Sequence, residues 1–334
     1  FRPGSGKIDD FFFSEQARVE TWLKKNIEIT SLYDPMLAKL IVHGRDRRDA
    51  LQKLRTVLAE SCLYGVANNM QYLNALIHTK AYEKGELFTK MLEDFMPEEH
   101  ALEVLDGGVQ TTVQDYPGMI GYWTVGVPLC GAMDSYSFRI GNRLLQNADD
   151  AAGLEMTLRG GTYQFRTTTS FCLTGADMSA TLDGEPVARY RVIHAAPMQI
   201  LKLGTCEAGM RAYLLVAGGI RVPKVMGSSS TFVDGKFGGH NGRTLRTGDI
   251  LQLSDGCYVD VMNSFPEEYT PEITNNWTIG VIPGPQPTAE YLRPEYLKTL
   301  TDSEYTVNFN SARTGVRLNG PIPEFTREDG GEAG

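Results

Sequence analysis

The spacing of apolar residues changes character near residue 100. Ahead of that point, Ala50, Leu51, Leu54, Val57 and Leu58 fall on one face of a helix, and Asp46 is placed to cap it. A second helix is predicted through Met70, Leu73, Leu76 and Ile77. The segments before them, GKIDDFFF, RVETWLKK and IEIT, read as short strands with a helix. The apolar run from Leu37 to Val42 reads as buried although Lys39 interrupts it; a lysine there snorkels from a strand edge or pairs with a carboxylate. Pro97 and the acidic MPEEHA run then break the helical pattern and read as a linker. From Leu102 onward the texture is one of short strands between glycine turns: LEVLDGG, GTYQF, SFCLTG, SATLDG, QILKLG, RAYLLVAGG, ILQLSDG and YVDVM. Asp183-Gly184 and Asp255-Gly256 are hairpin signals. The pattern predicts an α+β chain whose larger, later part is a mainly β barrel or sandwich.

One helix is expected inside the β-rich part. Tyr136, Ile140 and Leu144, with Phe138 and Leu145 beside them, follow Asp134 at helical spacing, so Asp134 reads as an N-cap. Asn142 then lies mid-helix, where asparagine competes for backbone hydrogen bonds. It either points at solvent or serves a function. The stretch from Thr111 to Thr157 also holds the polar pair Gln114 and Asp115 and a loop punctuated by Gly126, Pro128 and Gly131, a density that suggests a site. GSSST (227–231) and FGGHNGR (237–243) are small-residue loops that either cradle an anion or make plain tight turns. Neither matches a phosphate-binding loop. No GxSxG elbow supports Ser228 with His240 as a hydrolase pair. Near the end, NWTIGVIPGPQPTAEYL, with Pro283, Pro285 and Pro287, reads as a rigid extended segment leading into a short helix. Arg313 and Arg317 sit four apart in a glycine-rich turn and either fork onto a carboxylate or carbonyl or form hairpin salt bridges.

Composition narrows the function classes. Hydrophobic residues make up 42%, charged residues 22%, and the net charge is −9. No basic patch or base-reading motif points to nucleic acid. No run approaches the roughly twenty apolar residues of a membrane span, and FRPGSGKIDD lacks the apolar core of a signal peptide. The five cysteines are scattered and never spaced as CxxC, and the five histidines are dispersed, so no metal or disulfide framework is expected and a reducing cytoplasm fits best.

The runs GVPLCGAMDSYSFRIGNRLLQN, LEMTLRGG, LTGADM, MRAYLLVAGGI, VPKVMGSSST, FGGHNGRTLRTGD and SARTGVRLNGP occur in that order between Gly126 and Pro321. They resemble the family that includes one of the bacterial 5-oxoprolinase subunits, the kinase-inhibitor antagonist proteins and the first half of the carboxyltransferase domain of urea carboxylases. The resemblance implies a cyclophilin-like barrel over residues 101–334, incomplete because the DGGE run stops in mid-motif. Members often carry Gly-Arg after QD plus one residue, where this chain reads QDYPGM, so no role for that arginine carries over. Ahead of it, YDPMLAKLIVHGRDRRDALQKLRTVLAES, YGVANN and GELFTKMLEDF resemble the C-terminal subdomain of biotin carboxylases, implying a partial domain over residues 1–96. That family usually has Lys-Thr-Asn where this chain has Ala67, Asn68 and Asn69. Its ATP-grasp region lies upstream of a GKI-like strand, here residues 6–8, so ATP, Mg and bicarbonate would not be held by this chain alone.

Together the two resemblances imply a piece of a biotin-dependent urea carboxylase, in the fungal type fused to an allophanate hydrolase, that carboxylates urea to allophanate. Biotin would sit on a domain outside this chain, since no Met-Lys-Met carrier motif occurs. The implied partners are urea, the remaining domains of the same polypeptide and further copies in a homo-oligomer. Urea presents one carbonyl and four N–H groups. Arg313 or Asn142 is expected on the carbonyl, and Asp115, Asp329 or Gln114 on the amino groups. Arg313, Asp329 and Asn142 are therefore the catalytic candidates, and Gln114, Asp115 and Arg243 the substrate-binding ones. For Asp329 a solvated turn position is the alternative. Rival functions are a guanidine carboxylase of the same architecture and a non-catalytic binding module, against which the carboxylase-like tail counts.

Overall fold

The computed structural model describes the chain except for residues 1–4, 9, 33, 67, 94, 96, 98, 255–257, 261–263, 283, 285–287, 314 and 327–334. It forms two units, residues 1–273 and 274–334.

In the first unit, short antiparallel ribbons form on either side of the first helix, pairing Gly6–Lys7 with Glu28–Ile29, Phe11–Phe12 with Cys62–Leu63 and Arg18–Thr21 with Ala38–Ile41. With Arg18–Thr21 paired to Ala38–Ile41, the helix expected within the first thirty or so residues is not formed among the described residues. Short segments between turns cannot nucleate a stable helix, whereas pairing satisfies their backbone groups at once. Lys39 is exposed on this ribbon, directly across from Glu20, and the Leu37–Val42 run is half-buried rather than buried. Ile8, Leu23, Ile29, Leu63 and Val66 close a small core beneath the ribbons. Helix α1 (Arg47–Glu60) is capped by Asp46, whose side chain accepts from Asp49 N at 2.8 Å, a contact worth about 1 kcal/mol. It buries Leu51, Val57 and Leu58. Helices α2 (Met70–Ile77) and α3 (Lys80–Lys84) follow. Arg55 ties α1 to them by donating to Ile77 O at 3.1 Å and to Glu83 at 2.5 Å.

The rest of this unit is a β sandwich. One antiparallel sheet orders its strands Glu185–Pro186, Thr181–Leu182, Ile200–Lys202, Thr162–Phe165, Ala101–Asp106, Ile250–Leu253 and Ile220–Arg221. The other orders Ile193–Ala195, Thr169–Gly175, Arg211–Val216, Gly153–Thr157 and Gln110–Gln114. Their facing side chains, among them Leu102, Leu154, Tyr163, Phe165, Phe171 and Leu214, form one core. The expected closed barrel is not formed: among the described residues the strands pair into two sheets. The outer edge of Gln110–Gln114 is met by loops, with Thr231 N donating to Val113 O at 3.0 Å and Leu245 N to Thr111 O at 2.9 Å. Loop backbone therefore satisfies the edge that a closing strand would have covered. Asp183 and Gly184, at φ 51° and 90°, make the two-residue turn expected of them; Asp255 and Gly256 lie outside the described residues.

Helix α4 (Ser135–Leu144) covers the far face of the five-stranded sheet. Phe138 and Leu145 pack with Cys172, Tyr213 and Leu215. Gly141 makes the close approach possible, because a Cβ there would lie 2.6 Å from Leu215 Cδ2. The carboxylase-like segment reaches the sandwich through Gln71, whose Nε2 donates to Gln252 Oε1 at 2.6 Å and whose Oε1 accepts from His100 N at 2.9 Å.

In the second unit, helix α5 (Glu295–Asp302) starts after Pro294, and Thr306–Val307 pairs with Leu318–Asn319. Trp277, Ile279, Val281 and Ile282 are exposed; Pro283, Pro285 and Pro287 lie outside the described residues. Among the described residues no helix is long and apolar enough to cross a membrane.

Candidate functional site

The site builds outward from the two ends of α4. At its start, Asp134 accepts from Ser137 N at 3.0 Å, forming the expected N-cap. The loop entering the helix is anchored on Glu155, which is 1% exposed. Glu155 accepts from Met133 N at 2.8 Å, from Tyr213 OH at 3.1 Å and from Arg211 at 2.8 Å. Tyr213 OH in turn accepts from Asp134 N at 2.7 Å, and burial pushes its phenol well above the usual range. The buried face of the helix is Ser137, Phe138, Ile140, Gly141 and Asn142, while Tyr136 turns outward and its hydroxyl donates to Tyr269 O.

Asn142 does not point at solvent. It is fully buried; its amide donates to Ala151 O at 3.0 Å and its carbonyl accepts from Asn147 Nδ2 at 2.9 Å. Asn147 also donates to Val216 O at 2.8 Å and accepts from Gly218 N at 2.7 Å. The helix ends in a Schellman motif: Asn147 N donates to Asn142 O, Gln146 N donates to Arg143 O, and Gln146 sits in the left-handed region at φ 57°. Asn142 thus fixes Asn147, and Asn147 fixes the turn after the Arg211–Val216 strand.

Gln114 and Asp115 are brought together with the GSSST loop. Asp115 is 3% exposed. Its carboxylate accepts from Ser228 Oγ at 2.7 Å, Ser230 Oγ at 2.6 Å and Ser229 N at 2.6 Å. The loop does cradle an anion, but that anion is the protein's own side chain. Gln114 Nε2 donates to Thr112 Oγ1 at 2.9 Å, while its buried Oε1 has no hydrogen-bond partner among the described residues.

Arg243 forks onto Asp249 with both contacts at 2.8 Å. Burial alone would raise the Asp249 pKa; the Arg243 fork, His240 and the Arg246 N–H outweigh it and hold the carboxyl far below the usual range. His240 Nε2 lies 3.4 Å from Asp249 Oδ1, too poorly aligned to be a hydrogen bond. Arg243 is thereby committed to an internal ion pair.

An open cavity of about 620 Å³ lies beside these elements, and Tyr64, Asn147, Arg221, Lys224, Ser229 and Tyr258 are among its lining residues. Neither Asp115 nor Asn142 lines it, yet each holds a residue that does, Ser229 and Asn147 respectively. Of these lining residues, Ser229 lies in the GSSST loop singled out in the sequence, whereas Tyr64, Arg221 and Tyr258 were missed. The neighbourhood of Asn147 to the helix end carried a local signal. Arg313 lies in the second unit, in the turn closed by the Ala312–Gly315 bridge. Asp329 lies outside the described residues.

Comparison with known proteins bears on both halves of the chain. Residues 125–333 match the family model described as carboxyltransferase domain, subdomain A and B. The chain belongs to this carboxyltransferase family. Its residues 1–94 match the biotin carboxylase C-terminal domain. The whole carboxyltransferase-family chain is 40% identical to urea amidolyase of Saccharomyces cerevisiae, covering 18% of that protein's length. The crystal structure of the Kluyveromyces lactis urea carboxylase is 40% identical over 98% of this chain and 30% of that one, with a TM-score of 0.88. A 5-oxoprolinase subunit of Haemophilus influenzae is 34% identical over 67% of this chain and 70% of its own length. The chain therefore spans under a third of the first two of these relatives.

Proposed function

We propose that this chain is the join between the two catalytic halves of a biotin-dependent urea carboxylase, the end of its carboxylase and the start of its carboxyltransferase. The observation that carries this reading is the order of the two family matches within one chain whose entire length resembles urea amidolyase. Urea, the remaining domains of the polypeptide, biotin, ATP, Mg and bicarbonate, a cytoplasmic setting and self-association all belong to the proposal.

Bound biotin supplies an activated carboxyl group. The residues of this chain contribute positioning and electrostatics. Asp115 and Asn142 act as positioning residues, because every strong contact of their side chains is made inside the protein. Gln114 Oε1, a buried acceptor without a partner among the described residues, fits an N–H donor of the kind that urea and the biotin ureido ring both present. Arg313 supplies a cationic donor to a carbonyl, and Asp329 an acceptor for an amino group.

Two variants of the full polypeptide test this. Gln114→Leu and Arg313→Ala should each lower urea-dependent ATP turnover by about tenfold or more and leave the slow urea-independent turnover unchanged. Urea-dependent turnover within about twofold of wild type in both would show the site to be misplaced. Running urea and guanidinium side by side separates a urea enzyme from a guanidine enzyme.

A further inference from the structure

Gln114, proposed above to meet urea, is not among the residues lining the cavity beside α4. The cavity's volume of about 620 Å³ lies within the range of small-molecule sites. Its walls come from segments far apart in sequence: Tyr64 of the carboxylase-like part, the turn after α4, the turn from Ala217 to Lys224, and Tyr258 with Val259. The walls other than Tyr64 are braced from behind. Asn142 and Asn147 pin Gly218 N, and Asp115 pins Ser229 N. Ser170 Oγ accepts from Val259 N at 3.0 Å, and the Tyr258 ring stacks on His194 at 4.6 Å. Gly219 completes the fit at φ 78°, where a Cβ would meet Ala151 Cβ at 3.1 Å.

The charge at this cavity runs against that of the chain. The sequence carries a net charge of −9, yet the charged lining residues are Arg221 and Lys224 against the single carboxylate of Asp150. Lys224 lies 3.1 Å from Asp150, and among the described residues no carboxylate pairs with Arg221. An exposed guanidinium lining a cavity that a second cation and two tyrosines also line is a recognition device for an anion carried on a small organic frame. The negative end of α4 does not oppose this, because the Schellman motif closes its last carbonyls.

We propose that this cavity is a binding site for a small carboxylate- or phosphate-bearing ligand, held by Arg221 and Lys224 and reporting to both family-matched parts of the chain. The ligand touches Tyr64 on one side and the transferase wall on the other, so its occupancy couples the two.

The test is calorimetric titration of the full polypeptide with inorganic phosphate and, separately, with malonate. Wild type is compared with Arg221→Gln/Lys224→Gln and with Ala148→Trp, which fills the mouth without changing charge. At least one probe should bind saturably, and its affinity should fall about tenfold or more in both variants. Loss for phosphate alone identifies a phosphate ligand, and loss for malonate alone a carboxylate ligand. Urea-dependent turnover at fixed ATP and bicarbonate, with no phosphate or malonate added, should be unchanged in Arg221→Gln/Lys224→Gln. The proposal is overturned if neither probe binds below about 10 mM, a concentration corresponding to a negligible affinity. It is equally overturned if the variants bind within twofold of wild type, or if their urea-dependent turnover at fixed ATP and bicarbonate falls with no phosphate or malonate added.

Discussion

Replacing Asp115 probes the platform on which the candidate site rests. Its carboxylate takes two serine hydroxyls and one backbone N–H between 2.6 and 2.7 Å while 3% exposed. Hydrogen bonds to a charged group contribute about 1.5–3 kcal/mol each, and a buried donor left unpaired costs about 1–3 kcal/mol. Asp115→Ala strands three donors at once. Two neighbouring bonds do not depend on the carboxylate and are kept: Ser228 Oγ accepts from Ser230 N at 3.0 Å and Ser230 Oγ accepts from the residue 115 amide at 3.0 Å. A net cost of about 3–5 kcal/mol remains, or a fall of about 10 °C in melting temperature. Asp115→Asn keeps the shape and lets the two hydroxyls reverse to accept from the new amide, so it should cost about 1–2 kcal/mol. Guanidinium denaturation of both variants, followed by circular dichroism, measures these values. A cost below about 1 kcal/mol for Asp115→Ala, or equal costs for the two variants, would refute the reasoning.

The Asp249 carboxyl is held below its ordinary value of 3.8, so its stabilising contribution is present above that pH and is lost as pH falls through the lower folded-state value. Asp249→Asn should destabilise by about 2–3 kcal/mol at neutral pH, and unfolding midpoints measured from pH 7 to pH 3 should show the gap to wild type closing only at the acid end. Burial pushes the Cys172 thiol up to about 12, so iodoacetamide at pH 8 should leave it unlabelled in the folded protein and label it rapidly after unfolding, as followed by peptide mass spectrometry. Gln146 occupies a left-handed position that favours glycine. Gln146→Gly should therefore stabilise the chain by about 0.5–1 kcal/mol in the same denaturation assay, and a loss of stability would mean that its side chain makes a contact outweighing the backbone strain.

Local rules were legible in the sequence. The caps at Asp46 and Asp134 need only a side chain and the amide three residues on, and both formed as expected. The Asp183–Gly184 turn likewise depends on two backbone conformations. What failed was non-local. The helix expected early in the chain gave way to pairing, because Ala38–Ile41 lay ready to meet Arg18–Thr21. The barrel stayed open because loops at Thr231 and Leu245 satisfied the sheet edge. Asn142 was singled out correctly as unusual, but the partners that explain it, Ala151 and Asn147, sit beyond the end of the helix. Arg243 went to Asp249 rather than to an open site. The union of Asp115 with Ser230 spans 115 positions, and nothing in either motif announces the other.

Isotope transfer tests the central claim most directly. The full polypeptide is incubated with ATP, Mg, labelled bicarbonate and either urea or guanidinium, and the labelled products are separated. The account predicts label in allophanate only when urea is present, with loss of that label when avidin sequesters the biotin. Absence of urea-dependent label, or transfer that avidin leaves untouched, would contradict it.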